Sequence, residues 1–152
     1  MKYIFSGIFL YFFFGFFLYF FQRKIIFNTS KKPKPPSFYE LNNVKEVFIT
    51  TTDKINLLAW HYNGHESNPM LVYFHGNSFD IGERAYRIKK YINSNWSVLL
   101  LAWRGFSGNK GKPSEKNLYI DGESALKWIL KNTRYKFTDL VIYGESLGTG
   151  VA

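Results

Sequence analysis

An α/β fold behind an N-terminal membrane helix is what this sequence predicts, on three observations. A charge-free apolar run fills positions 3–21. Beyond it, short apolar strands alternate with stretches of helical periodicity. The last of these strands, LVIY at 140–143, runs directly into Gly144-Glu145-Ser146-Leu147-Gly148. Strand, helix, strand, helix, strand is the order of a parallel, doubly wound sheet with right-handed crossovers. An antiparallel hairpin is expected to lead into it.

The first run, YIFSGIFLYFFFGFFLYFF, holds 19 residues. As a helix it would reach ~28 Å, close to the ~30 Å of bilayer hydrocarbon. Apolar residues occupy all its faces, so no stripe is left for water. A cleaved signal peptide would end in small residues, whereas this run ends Phe20-Phe21-Gln22-Arg23-Lys24. An uncleaved anchor over 1–22 is therefore expected, with the lipid bilayer as partner. Basic residues set orientation. Lys2 precedes the run; Arg23, Lys24, Lys31, Lys32 and Lys34 follow it. A single pass with the following domain in the cytoplasm is the expectation. The net charge of +9 fits an anionic membrane surface. No nucleic-acid-binding motif accompanies it, and no nucleic-acid partner is expected. Cysteine is absent, which excludes a disulfide framework, thiolate metal sites and a cysteine nucleophile.

Residues 23–37 read as a basic, proline-rich linker. Three prolines in KKPKPPS (31–37) favour an extended spacer over helix or strand. The folded domain is placed at 38–152. Val44–Thr50 and Ile55–Tyr62 flank Thr51-Thr52-Asp53-Lys54 as a hairpin. MLVYF (70–74) is apolar throughout, as in a strand buried on both faces. Ile81, Ala85, Ile88 and Ile92 mark a helix over about 80–93, and SVLLLA (97–102) marks another buried strand. A glycine-rich loop (105–113) precedes a second helix over 118–132.

At Ser146 a strand ends, the chain reverses and a helix is expected at once. A serine at the tip of such a turn is pushed into a strained conformation with its hydroxyl in solvent. Side chains at 144 and 148 would collide with the neighbouring strand and helix, and glycine removes the collision. The Leu147 N–H then faces developing negative charge. His75-Gly76-Asn77 ends an earlier parallel strand, where ligand sites of open α/β sheets gather. The Asn77 N–H, with Ser78 as the near alternative, is the second candidate oxyanion donor. His75 reads as structural, holding its loop. His61 and His65 straddle a strand end and make a weak metal pair; no metal site and no cofactor are expected.

These residues carry a resemblance. VYFHGN, LLAWRGFSGNKGKPSEKNLYIDGESALKWI and VIYGESLGTG resemble the α/β-hydrolase superfamily, in particular its membrane-anchored, single-anchor branch. The resemblance covers about Val72 to Ala152 and implies the first half of an α/β-hydrolase fold. It implies Ser146 as nucleophile, Leu147 and Asn77 as oxyanion donors, and carboxylic esters or thioesters as substrates. Many relatives carry an Asp where this sequence has Ala102-Trp103. The family's acid and histidine come later in the chain, and the six residues after Ser146 hold neither. Asp121 reads as a first-turn helix residue, and Glu145 is too close in the chain to serve a histidine on Ser146. The expectation is a truncated or split hydrolase, nearly inactive alone, completed by a downstream chain carrying the acid and histidine. The alternative is a non-catalytic, membrane-anchored interaction module.

Overall fold

The computed structural model describes residues 2–152. Met1, the first residue of the expected anchor, lies outside the described residues. Helix α1 spans Lys2–Ile26, so it continues four residues past the expected anchor and takes in Arg23 and Lys24. Tyr3–Ile26 is 24 residues; its most apolar 18-residue window has a mean hydropathy of 2.1, and none of that window is buried by the protein. At ~1.5 Å per residue it is ~36 Å long, long enough to cross the ~30 Å hydrocarbon layer.

Five strands follow: β1 (Lys45–Thr50), β2 (Asn56–Tyr62), β3 (Met70–Phe74), β4 (Ser97–Leu101) and β5 (Leu140–Gly144). They form one sheet in the order β1-β2-β4-β3-β5. β1 and β2 pair antiparallel as the expected hairpin. β2 joins β4 antiparallel, and β3 pairs parallel with both β4 and β5. The crossovers carry helices α2 (Ala85–Asn93) and α3 (Glu115–Asn132). Side chains alternate across the sheet because successive strand residues point to opposite faces. Met70, Val72, Phe74, Leu99 and Leu101 pack with Leu118, Ala125 and Ile129 of α3. Leu71, Tyr73, Val98 and Leu100 pack with Ala85 and Ile88 of α2.

Three helix boundaries differ from the sequence reading. The first crossover begins as a 3-10 turn, Ile81–Arg84, in which the Asp80 carboxylate accepts from the Gly82 N–H. The second begins at Glu115 rather than Leu118, because Ser114 Oγ caps it by accepting from the Asn117 N–H. Asp121 thereby moves from the first turn to the middle of α3. Beyond β5 the chain makes a 3-10 turn, Ser146–Gly150, in place of the expected α-helix.

Residues 27–36 lie along the domain surface. The Ser30 hydroxyl donates to the Phe79 carbonyl and accepts from the Ser107 N–H, while the Ser30 carbonyl accepts from Gly108. Pro33 and Pro36 are buried. Residues 31–35 form neither helix nor strand, but Pro36 and Ser37, expected as part of the extended spacer, begin a 3-10 turn, Pro36–Tyr39, and the stretch is fastened to the domain.

Candidate functional site

The register places Phe74, the last residue of β3, opposite Gly144, the last of β5. The loops that follow therefore leave neighbouring strands side by side, and the Glu145 N–H donates to the Phe74 carbonyl at 2.9 Å. Ser146 sits at the reversal with φ +47°, a conformation that L residues adopt only under constraint. It is exposed, and its hydroxyl has no hydrogen-bond partner among the described residues. The constraint comes from both flanks. A Cβ on Gly144 would lie 2.6 Å from Thr149 Cα. A Cβ on Gly148 would overlap the Phe74 carbonyl. The turn closes because Gly148 donates its N–H to the Glu145 carbonyl at 2.8 Å. The N–H of Leu147 meets no acceptor among the described residues, so it is free for a ligand oxygen.

The loop after β3 lies against this turn: a Cβ on Gly76 would come within 3.2 Å of Glu145 Oε1. Asn77 is half-buried, and its N–H also meets no protein acceptor among the described residues. Its side-chain oxygen accepts from the Asn28 N–H at 3.0 Å, from the segment just beyond α1.

His75 is fully buried between Trp103 and Phe106. Nδ1 lies 2.7 Å from the Gly76 carbonyl, and Nε2 accepts from the Trp103 N–H at 3.3 Å. That pairing requires the neutral tautomer with its proton on Nδ1. Burial holds the ring's pKa down at about 4. Both nitrogens are occupied, so His75 fastens the loop and has nothing to offer Ser146. His61 packs edge-on against Trp128, while His65 is exposed and bonded to Ser67. His65 lies at the end of the sheet where the parallel strands begin, opposite the end that carries Ser146.

Asp121 is fully buried and bound to Arg104: its carboxylate accepts from the Arg104 backbone N–H, from Nε at 2.9 Å and from Nη2 at 2.7 Å. Arg104 reaches on to Asp53 at 2.6 Å. Asp121 is thus an internal charge partner, not a first-turn dipole residue. Glu145 is also engaged. It accepts from Tyr73 Oη at 2.8 Å and from Arg84 Nε and Nη2 at 3.3 and 3.2 Å. Burial pushes its carboxyl upward, but these donors outweigh it and hold the pKa below the usual range. Arg84 Nη1 also donates to the carbonyls of Ser78 and Asp80. One buried guanidinium thereby ties the loop after β3 to the turn at Ser146. The sequence reading missed Arg84, and a signal was present: it falls on the apolar stripe between Ile81 and Ile88, where a charge needs a buried partner.

A cleft of about 820 Å³ opens beside Leu147. Its walls are the end of α1 with Phe27, residues 114–119 at the start of α3, and Val151.

No family model matches the chain. Among curated proteins it is similar to protein bem46 of Schizosaccharomyces pombe, with 30% identity over 131 residues, covering 83% of this chain and 44% of that protein. It is also similar to human alpha/beta hydrolase domain-containing protein 17B, with 35% identity over 109 residues, covering 68% of this chain and 37% of that one. The chain spans less than half the length of either relative. Among solved structures, a Pyrococcus furiosus esterase aligns with a TM-score of 0.66 at 21% identity, over 83% of this chain and 50% of the esterase. An alpha-beta hydrolase from Vibrio vulnificus aligns with a TM-score of 0.62 at 19% identity, over 79% of this chain and 51% of that one. These two likenesses establish the fold.

Proposed function

We propose, from a chain that belongs to the α/β-hydrolase superfamily, that it is the membrane-anchored, nucleophile-bearing part of a serine hydrolase. In this reading Ser146 Oγ attacks the carbonyl of a carboxylic ester or thioester. The N–H groups of Leu147 and Asn77 bind the oxyanion that forms. The observation that carries the proposal is the positive φ of the exposed Ser146, held between two glycines that no larger residue can replace without overlap. A serine hydroxyl attacks poorly without a base, and the three histidines are spent or remote. The base and its acid are therefore assigned to further polypeptide pairing with β5, continuous with this chain or separate. Tyr3–Ile26 is assigned as a single transmembrane pass, with the sheet on the cytoplasmic side by the basic residues that follow it.

The test is hydrolysis of short p-nitrophenyl esters and acyl thioesters by the full chain in nanodiscs. Rates are compared alone and after co-expression with the C-terminal half of the bem46 relative. Turnover near background alone, a rise of at least about 10³-fold on complementation, and loss of that rise in S146A are the expected results. Turnover that survives S146A overturns the assignment.

One observation favours a second reading. Val141, Ile142 and Tyr143 of the edge strand β5 are each about 40% exposed, an apolar edge suited to receiving another strand. A non-catalytic anchored module that docks a partner there would bind the complementing half and gain no esterase activity.

A further inference from the structure

Six cations without salt-bridge partners among the described residues come from two distant stretches that the fold brings together. Arg23, Lys31 and Lys34 follow the apolar part of α1; Lys110, Lys112 and Lys116 belong to the glycine-rich loop and the first turn of α3. None of the six has a salt-bridge partner among the described residues, and all are exposed. The fold joins the two stretches. Arg23 and Lys116 line the same cleft. Gly108 donates its N–H to the Ser30 carbonyl at 3.0 Å, and a Cβ on it would touch Lys32. Gly105 faces Thr29 in the same way. Between Gly105 and Tyr119 the sequence has one carboxylate, Glu115, which accepts from the Tyr119 hydroxyl at 3.0 Å.

We propose that Lys110, Lys112 and Lys116 form, with Arg23, Lys31 and Lys34, a composite basic face that docks the domain onto anionic lipid headgroups. The inference rests on the anchor reading: where α1 leaves the hydrocarbon, Arg23 enters the headgroup layer. Lys116 lies across one cleft from it, within reach of a surface potential that decays over ~8–10 Å. Sequence alone assigns this role only to the stretch directly after α1. The fold adds the loop eighty residues on. The consequence is orientation: the docked domain holds the cleft beside Leu147 at the lipid surface, where a substrate that partitions into the membrane arrives.

The absence of cysteine makes the test clean. The full chain carrying Y119C is labelled with a fluorophore and placed in nanodiscs doped with a headgroup-quencher lipid, either purely zwitterionic or containing phosphatidylserine. Quenching should increase with the anionic lipid and fall back in high salt. K110E/K112E/K116E should abolish the anion-dependent increase, shifting the docked-to-undocked ratio by roughly a hundredfold at about fivefold per lysine. K90E/K131E/K136E, an equal charge change on exposed lysines elsewhere in the domain, should keep it. Quenching that ignores lipid charge, or that both variants abolish equally, overturns the proposal while leaving the anchor intact. A chain absent from the nanodiscs in either lipid overturns both.

Discussion

Ser146, Gly148 and His75 show how little freedom the turn has. The loop of β3 and the turn of β5 touch through backbone atoms, so the space at Gly148 is already filled by the Phe74 carbonyl. G148A should destabilise the domain by about 3 kcal/mol, the cost of overpacking at a site whose neighbour is backbone. Gly150 has open space around its missing side chain, so G150A should stay within about 0.5 kcal/mol. Denaturant titration in detergent compares the two, and equal effects would remove the steric account of the turn. His75 adds a pH dependence. Its pKa is about 4 in the fold and ~6.5 when unfolded, so the unfolded chain binds more protons between those values. Stability from this residue is complete above pH ~6.5 and is lost as pH falls toward 4, by up to about 3 kcal/mol. In H75Q the unfolding free energy should be flatter across that window than in the parent chain. An unchanged slope would show that His75 is not the group buried neutral.

At the scale of elements, the strands were legible because each is a short apolar run ended by turn residues. MLVYF and SVLLL are buried strands where their composition placed them. LVIY is a strand as expected, though its composition suggests burial and Val141, Ile142 and Tyr143 are about 40% exposed at the sheet edge. The helix starts were less legible because capping decides them: Ser114 adds a turn to α3 that no apolar periodicity announces. The partners of Asp121 and Glu145 were hidden for another reason. Each meets its arginine across 17 or 61 residues of sequence, and pairing at that range depends on topology, which sequence periodicity does not carry. Ser146 and Gly148 could be read because steric need is local, whereas Arg84 could be read only as an anomaly on an apolar stripe. The Arg104 cluster yields an ordered prediction. D121N removes a fully buried charge partner and should cost about 3 kcal/mol. D53N removes one whose side chain is 41% exposed and should cost about 1 kcal/mol or less. Equal losses in denaturant titration would contradict the burial difference.

Taken whole, the molecule links a bilayer-length helix to a half-open sheet through a strap that reaches the candidate site. Asn28 bonds Asn77, and Ser30 bonds Phe79 in the same loop and Ser107 in the loop after β4. The bilayer-length helix is therefore joined to the candidate site through Asn28 and Ser30. β5, apolar and open along one edge, is where the proposed complement would pair. The most direct measurement is covalent: the full chain in nanodiscs, co-expressed with the complementing half, is treated with a fluorophosphonate and the adduct is located by peptide mass spectrometry. A single adduct on Ser146, absent in S146A and slowed by several orders of magnitude without the complement, is the predicted result. An adduct on any other serine of this chain, or no adduct with the complement bound, would contradict the assignment of Ser146 as nucleophile.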